Sequence, residues 1–215
     1  MMNTRIDPIL HDRPEQFPYI IIDNLYDKEE LKGIWKELNF LVDKLPDHID
    51  EHLDSSAMRD GEKLKVSKGI GLDAFYKERK SSNILNYNRK IFDVLKELRE
   101  NKIGLTFFFK NLRCNYDTSQ AVYYENEDHY KSHWDVAKVT CLTWLHKEPK
   151  RYTGGDLIFT DYDIKIDCIP NRCVIFPGSV KHEVTKVSMD EKYTGKGYGR
   201  WTIVQFLYEY YKCWF

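Results

Sequence analysis

Apolar positions recur with two different periods along the chain, and the change of period divides it. Residues 17–25, FPYIIIDNL, carry an apolar run rich in isoleucine, which predicts an opening buried strand. Asp27 and Glu30 have the spacing of a helix capping box. Leu31, Ile34, Trp35 and Leu38 follow at helical spacing, so a helix is expected to about residue 44, ahead of Pro46. Residues 46–82 are polar, with Asp-Gly at 60–61, and read as loop with one short strand at KLKVSKG. Ile84, Leu85, Ile91, Leu95 and Leu98 predict a second amphipathic helix over 83–101.

Beyond residue 104 the helical period is lost. LTFFFKNLRCNYD, QAVYYE, AKVTCLTWLHKE, GDLIFTDYD, IKIDCIP, RCVIFPG, HEVTKVSMD and RWTIVQFLYEYY are short β-branched and aromatic runs. Turn residues separate them at intervals of roughly ten, the pattern of an antiparallel sandwich or barrel. Helices first and strands afterwards predict one α+β domain over 1–215, with helical support over about 17–103 and a β core over about 104–211. Asp161 and Asp163 read as a hairpin turn.

Composition adds exclusions. Aromatic residues make up 14% of the chain, which favours strands. Lys and Arg total 33 against 34 Asp and Glu, so the balance gives no reason to expect a nucleic acid or an anionic membrane as partner. KYTGKGYGR is the nearest thing to a basic cluster. No apolar run has the length of a membrane span, and the first residues lack the apolar core of a secretory signal. Five cysteines without a CxxC pair read as buried free thiols in a reducing cytoplasm.

The candidate chemistry begins at KSHWDVAK. His133 and Asp135 are two apart, and on a strand they share a face and converge on one ion. VKHEVTKV supplies His182, 47 residues after Asp135, as a third ligand from another strand. Two imidazoles and one carboxylate leave open positions that suit non-haem Fe(II). Zinc enzymes use the same residue types, so the triad alone leaves the metal open. A lone His-x-Asp is common by chance, and its weight comes from company. In GYGRWTIVQFL, Arg200 and Thr202 are again two apart on a strand-like run with apolar neighbours, and a buried Arg needs an anionic partner.

Taken in order, Tyr124, His133-x-Asp135, the Gly-Gly-x-Leu-x-Phe of TGGDLIF, IPNRCVIFPG, His182-x-Val184 and Arg200-x-Thr202 resemble the 2-oxoglutarate and Fe(II)-dependent dioxygenases, in particular their prolyl 4-hydroxylase-like branch. The similarity spans about residues 17–210 and takes in FPYIIIDNLYDKEEL at the start. It implies a double-stranded β-helix, or jelly roll, with the N-terminal helices on the outside of its major sheet. It implies His133, Asp135 and His182 as the catalytic metal ligands, and Arg200, Thr202 and Tyr124 on 2-oxoglutarate. It also implies Fe(II), 2-oxoglutarate and O2 as the reactive set, with room for ascorbate, and a hydroxylation that releases succinate and CO2.

Two departures qualify the resemblance. Trp144 stands where related hydroxylases often carry a cosubstrate-binding tyrosine; an indole N–H donates but cannot accept, so Trp144 is either a cosubstrate contact or a pocket wall. The spacing from His182 to Arg200 is long, and its polar insert SMDEKYTGKGYG is either a lid over the substrate or a loose hairpin. The expected activity is hydroxylation of a prolyl residue in a protein or peptide. Hydroxylation of a free amino acid or another small molecule is the alternative, and a non-catalytic jelly-roll binding module is the reading from another class. Nucleic-acid dealkylation is disfavoured, because Phe206 occupies the place of that branch's second arginine.

Overall fold

The computed structural model describes residues 3–6, 17–45, 58–59, 61–100 and 106–210. The chain opens with strands β1 (Asn3–Ile6) and β2 (Ile20–Asp23), then helix α1 (Lys28–Val42). The expected capping box is present. The Asp27 carboxylate accepts from the Glu30 N–H, and the Glu30 carboxylate accepts from the Asp27 N–H, each at 2.9 Å. Four short strands follow, β3 (Met58–Arg59), β4 (Glu62–Lys63), β5 (Lys65–Val66) and β6 (Lys68–Gly71), and then helix α2 (Leu72–Phe75).

The single helix expected over 83–101 is two, α3 (Asn83–Tyr87) and α4 (Lys90–Glu100). The break falls at Asn88, a buried polar side chain. Its Nδ2 donates to Ser119 Oγ at 3.0 Å, its Oδ1 accepts from the Tyr26 hydroxyl, and its backbone carbonyl accepts from Gln205 at 3.1 Å. Satisfying those buried groups outweighs one more turn of helix. A second expectation also fails. LTFFFKNLRCNYD is not a strand but helix α5 (Phe107–Asn111), with strand β7 (Tyr116–Tyr124) starting later. Phe109 and Leu112 are buried while Phe107 faces water, a spacing of three that only a helical turn provides.

From β7 onward strands dominate: β8 (His129–His133), β9 (Val139–Leu145), β10 (Tyr152–Gly154), β11 (Leu157–Phe159), β12 (Ile164–Ile166), β13 (Arg172–Pro177), β14 (His182–Val184), β15 (Val187–Met189) and β16 (Arg200–Tyr208). HEVTKVSMD, expected as one strand, is split between β14 and β15, which belong to different sheets. Asp163 sits in the 160–163 turn at φ 52°, as its hairpin reading required. Cys213, His11, His48, His52 and the tail after residue 210 lie outside the described residues. So do 46–57 of the expected loop.

Two sheets face each other. The major sheet has the order β1-β2-β13-β9-β16-β7-β6 and the minor β12-β11-β14-β8-β5, every pairing antiparallel. This is a double-stranded β-helix with helices outside the major sheet. Ile34, Leu38, Leu85, Ile91 and Leu95 of the helices pack with Tyr123, Ile203 and Leu207 of its outer face. Leu142, Trp144 and Phe176 of its inner face pack with Leu157 and Phe159 of the minor sheet. Each such apolar side chain contributes roughly 1.5–3 kcal/mol on burial.

One polar cluster fixes helices to sheet. The buried Asp117 carboxylate accepts from Arg79 at 2.7 Å, Arg89 at 2.8 Å and Gln205 at 2.9 Å. Both arginines reach water, so their charges are rescued by solvent if Asp117 is lost, whereas Gln205 is not. Asp117→Ala is therefore expected to lower unfolding stability by about 2 kcal/mol. Urea denaturation followed by circular dichroism measures this, and an unchanged midpoint would show that the cluster is not needed.

Candidate metal and anion site

Strand register places the site. β16 runs opposite β7 with Arg200↔Tyr124, Thr202↔Val122, Val204↔Gln120 and Phe206↔Thr118. Alternate residues point to the same face, so Arg200, Thr202, Val204 and Phe206 look between the sheets together with Tyr124, Val122 and Gln120. Across from them stand Tyr130 and His133 of β8, His182 and Val184 of β14, and Lys65 of β5. These side chains, with Asp135 and Leu142, enclose a cavity of about 200 Å3. Arg200 is 0% exposed and Thr202 3%, whereas Val204 and Phe206 are only partly buried. The cavity is closed at the Arg200 end and open at the Phe206 end.

The triad lies toward the open end. The ligand atoms of His133, Asp135 and His182 all fall within 4.8 Å of one another. His133 Nε2 is 3.8 Å from one Asp135 oxygen, and His182 Nε2 is 3.5 Å from the other. β8 and β14 bring the two histidines directly opposite each other. Each Nδ1 faces a backbone carbonyl at 2.9 Å, of Lys131 for His133 and of Val180 for His182. A carbonyl only accepts, so Nδ1 carries the proton and Nε2 turns its lone pair to the centre. Burial lowers the pKa of His182 and keeps the ring neutral, as a ligand must be.

Asp135 differs from expectation in one respect: it lies just beyond the end of β8, not on it. Two bonds aim it. Its N–H donates to the Gly178 carbonyl at 2.8 Å, and its Oδ2 accepts from the Thr140 hydroxyl at 2.6 Å. A Cβ on Gly178 would fall 2.1 Å from the Ala137 carbonyl, so glycine is what permits this approach. Two imidazoles that turn Nε2 to the centre and one carboxylate converging here fit a divalent cation. The ring of Tyr130 stacks on His133 at 3.4 Å between centroids and holds its orientation.

The closed end is built around a charge. The Arg200 guanidinium donates through Nη1 to Thr202 Oγ1 and stands 4.8 Å from the centre of the Tyr124 ring. Its Nε and Nη2 have no hydrogen-bond partner among the described residues. A fully buried guanidinium with two idle N–H directions is a receptor for an anion. Burial pushes the Tyr124 hydroxyl up to about 12 against the pull of Arg200, so it remains a donor. Gly155 makes room: it adopts φ 72°, and a Cβ there would lie 2.6 Å from Arg200 Cδ. Trp144 is opposite Thr202 and fully buried, with its indole centre 5.8 Å from the guanidinium carbon and its Nε1 also without a partner.

All seven residues singled out in the sequence thus gather at one cavity or its closed end, with Trp144 behind the wall. Sequence reasoning missed Lys65, Tyr130 and Gln120. Gln120 is four residues before Tyr124, so counting by twos along β7 finds it. Tyr130 escapes such counting, because the β8–β14 register shifts between His182 and Val184. Lys65 has no signal at all in its own neighbourhood. The 188–199 insert is not over the open end. The Gly195 N–H donates to Glu125 at 2.6 Å and the Gly199 N–H to the Tyr123 hydroxyl at 2.9 Å, and Tyr193 and Tyr198 pack with Val122 and Tyr124.

Residues 119–208, which contain all seven of these side chains, match the family model of the 2OG-Fe(II) oxygenase superfamily. No curated protein matches by sequence. Among solved structures, a Pseudomonas putida prolyl-4-hydroxylase is similar at 12% identity and a TM-score of 0.57, over 94% of this chain and 96% of that one. The viral collagen prolyl hydroxylase of Paramecium bursaria Chlorella virus-1, in its 2OG complex, aligns at 14% identity and 0.51, over 88% and 94%. The non-haem alpha-ketoglutarate-dependent epimerase SnoN from nogalamycin biosynthesis aligns at 11% and 0.54, over 92% and 79%. These likenesses share the fold.

Gly155→Ala is expected to displace Arg200 and to weaken binding of a dicarboxylate about tenfold, while circular dichroism stays native. Calorimetric titration with 2-oxoglutarate reads this. Unaltered affinity would mean that Arg200 does not need the space that the glycine leaves.

Proposed function

We propose that this 2OG-Fe(II) oxygenase hydroxylates a prolyl residue in a protein or peptide, with His133, Asp135 and His182 as metal ligands and Arg200 as the anchor of the cosubstrate. The observation that carries the site assignment is the pair of idle N–H directions on Arg200, at the closed end of the cavity whose open end holds the triad. The enzyme uses Fe(II), 2-oxoglutarate and O2. Bound here, they supply an oxidation of substrate carbon coupled to loss of CO2 from the cosubstrate.

The chain's own residues do the rest. Arg200 receives the far carboxylate in a charge-assisted contact worth about 1.5–3 kcal/mol. Thr202 and Tyr124 fix the guanidinium, and Trp144 backs this end from behind the wall. Val122, Leu142 and Val184 exclude water from the middle of the cavity. The prolyl assignment draws support from the order of motifs and from prolyl hydroxylases among the structural relatives. A free amino acid or another small molecule as substrate is the second reading, and the SnoN epimerase of nogalamycin biosynthesis among the structural relatives favours it. Four free cysteines among the described residues support a cytoplasmic setting.

Succinate formation that requires both iron and 2-oxoglutarate, stimulated by proline-containing peptides and accompanied by gain of one oxygen atom in the peptide mass, is the expected result. Asp135→Ala should abolish it together with Mn(II) binding measured by paramagnetic resonance. Stimulation by free amino acids and by no peptide would replace the prolyl reading with the small-molecule one. Arg200→Lys keeps the charge but loses the fork, and should raise KM for 2-oxoglutarate about tenfold or more with little change in Mn(II) affinity. An unchanged KM would remove Arg200 from the cosubstrate site.

A further inference from the structure

The 188–199 insert is fastened to the closed end of the cavity by one buried carboxylate. Glu125 follows directly on β7 and is 6% exposed. Its Oε1 accepts the Gly195 N–H at 2.6 Å and the Tyr123 hydroxyl at 2.9 Å, while Oε2 stands 3.7 Å from the Lys68 ammonium. The turn that carries it is tied to itself. The Glu125 N–H donates to Asp128 Oδ2 at 2.8 Å, and the Asp128 N–H donates back to the Glu125 carbonyl at 3.1 Å.

The same chain of bonds reaches Arg200. The Tyr123 hydroxyl, which donates to Glu125, accepts the Gly199 N–H at 2.9 Å. Burial raises the pKa of this phenol, so it stays protonated and goes on donating. Its ring packs on Trp201 with centroids 4.6 Å apart, which fixes the hydroxyl in place. Gly199 is the residue before Arg200. A Cβ there would fall 2.2 Å from the Tyr124 carbonyl, so the chain enters β16 pressed against β7. The last N–H before Arg200 is thus held, through Tyr123, by Glu125.

Other ties of the insert lie nearer the surface. Lys147 stands 5.2 Å from the centre of the Tyr198 ring, and Arg151 stands 4.9 Å from that of Tyr193. Neither cation is buried, and such contacts are weak where water competes. Glu125 differs, because two buried donors lose their acceptor if it goes and only water can replace it. That water would enter beside Arg200, whose hold on an anion is strong only while its end of the cavity is dry.

We propose that Glu125 is a positioning residue for the cosubstrate: it latches the insert, holds the Gly199 N–H through Tyr123, and so fixes Arg200 and keeps water from it. This rests on the reading of Arg200 as the anchor of 2-oxoglutarate, and adds to it a residue outside the cavity lining.

The test pairs calorimetric titration of the Mn(II)-loaded protein by 2-oxoglutarate with amide hydrogen exchange over 189–199. Glu125→Ala should weaken 2-oxoglutarate about tenfold and speed exchange in that segment, with Mn(II) affinity unchanged. Glu125→Gln keeps an acceptor oxygen and should stay within about twofold of the wild type. Tyr123→Phe removes only the hydroxyl and should repeat the loss, and it decides the matter if Glu125→Ala fails to fold. Asp117→Ala, which destabilises the chain elsewhere, should keep native 2-oxoglutarate affinity. An equal loss in Asp117→Ala, or a loss of Mn(II) binding in step with that of 2-oxoglutarate, would show general loosening and overturn the latch. If Arg200→Lys loses affinity and Glu125→Ala does not, the latch alone falls. If Arg200→Lys keeps native affinity, the anchor reading falls and takes with it the bearing of the latch on the cosubstrate.

Discussion

A guanidinium withdrawn from water is the constraint around which the barrel is arranged. Arg200 is wholly buried, and such a charge is tolerated only where its donors are met. Thr202 meets one, Tyr124 offers a ring face, and two directions stay open toward the cavity. The left-handed Gly155 and the absence of a side chain there follow from the same need for space. Even the packing of the 188–199 insert against Tyr123, Tyr124 and Glu125 serves to keep this end dry. Anion recognition and water exclusion are thus one device.

What was legible in the sequence is what strand periodicity encodes. Arg200 and Thr202 share a face because they are two apart on a strand, and the helix cap at Asp27 is a purely local pattern. The triad was found through the same rule, though Asp135 reaches its place by a hydrogen bond to Gly178 and not by strand alternation. The errors fell where a tertiary bond overrides local pattern. Asn88 ends a helix because Ser119, Tyr26 and Gln205 claim it. Phe107–Asn111 turns into helix because Phe109 and Leu112 have a helical layer to bury against. Lys65 reaches the cavity wall only through pairing with Tyr130, some 65 residues later in the chain, a relation that no local window contains.

The two ends of the cavity divide the work by dielectric. The Arg200 end is dry, so electrostatic contacts there are strong and selective for a small dianion. The Phe206 end is partly wet and aromatic, which suits a larger and variable molecule. The triad stands toward the open end, with its histidines fixed by backbone carbonyls. Such an arrangement would hold a small anion tightly at one end while a larger molecule exchanges at the other.

β5 and β6 are edge strands of different sheets, and one residue, Ser67, is all that separates them. The other crossings between the large sheets are several residues long. At this edge the sheets are therefore stapled, while the opposite edge, at β12 and β1, has no one-residue crossing among the described residues. A relative displacement of the two sheets would therefore be smallest at this edge. Lys65 and Tyr124, next to this crossing, are the cavity-lining residues whose separation it constrains most.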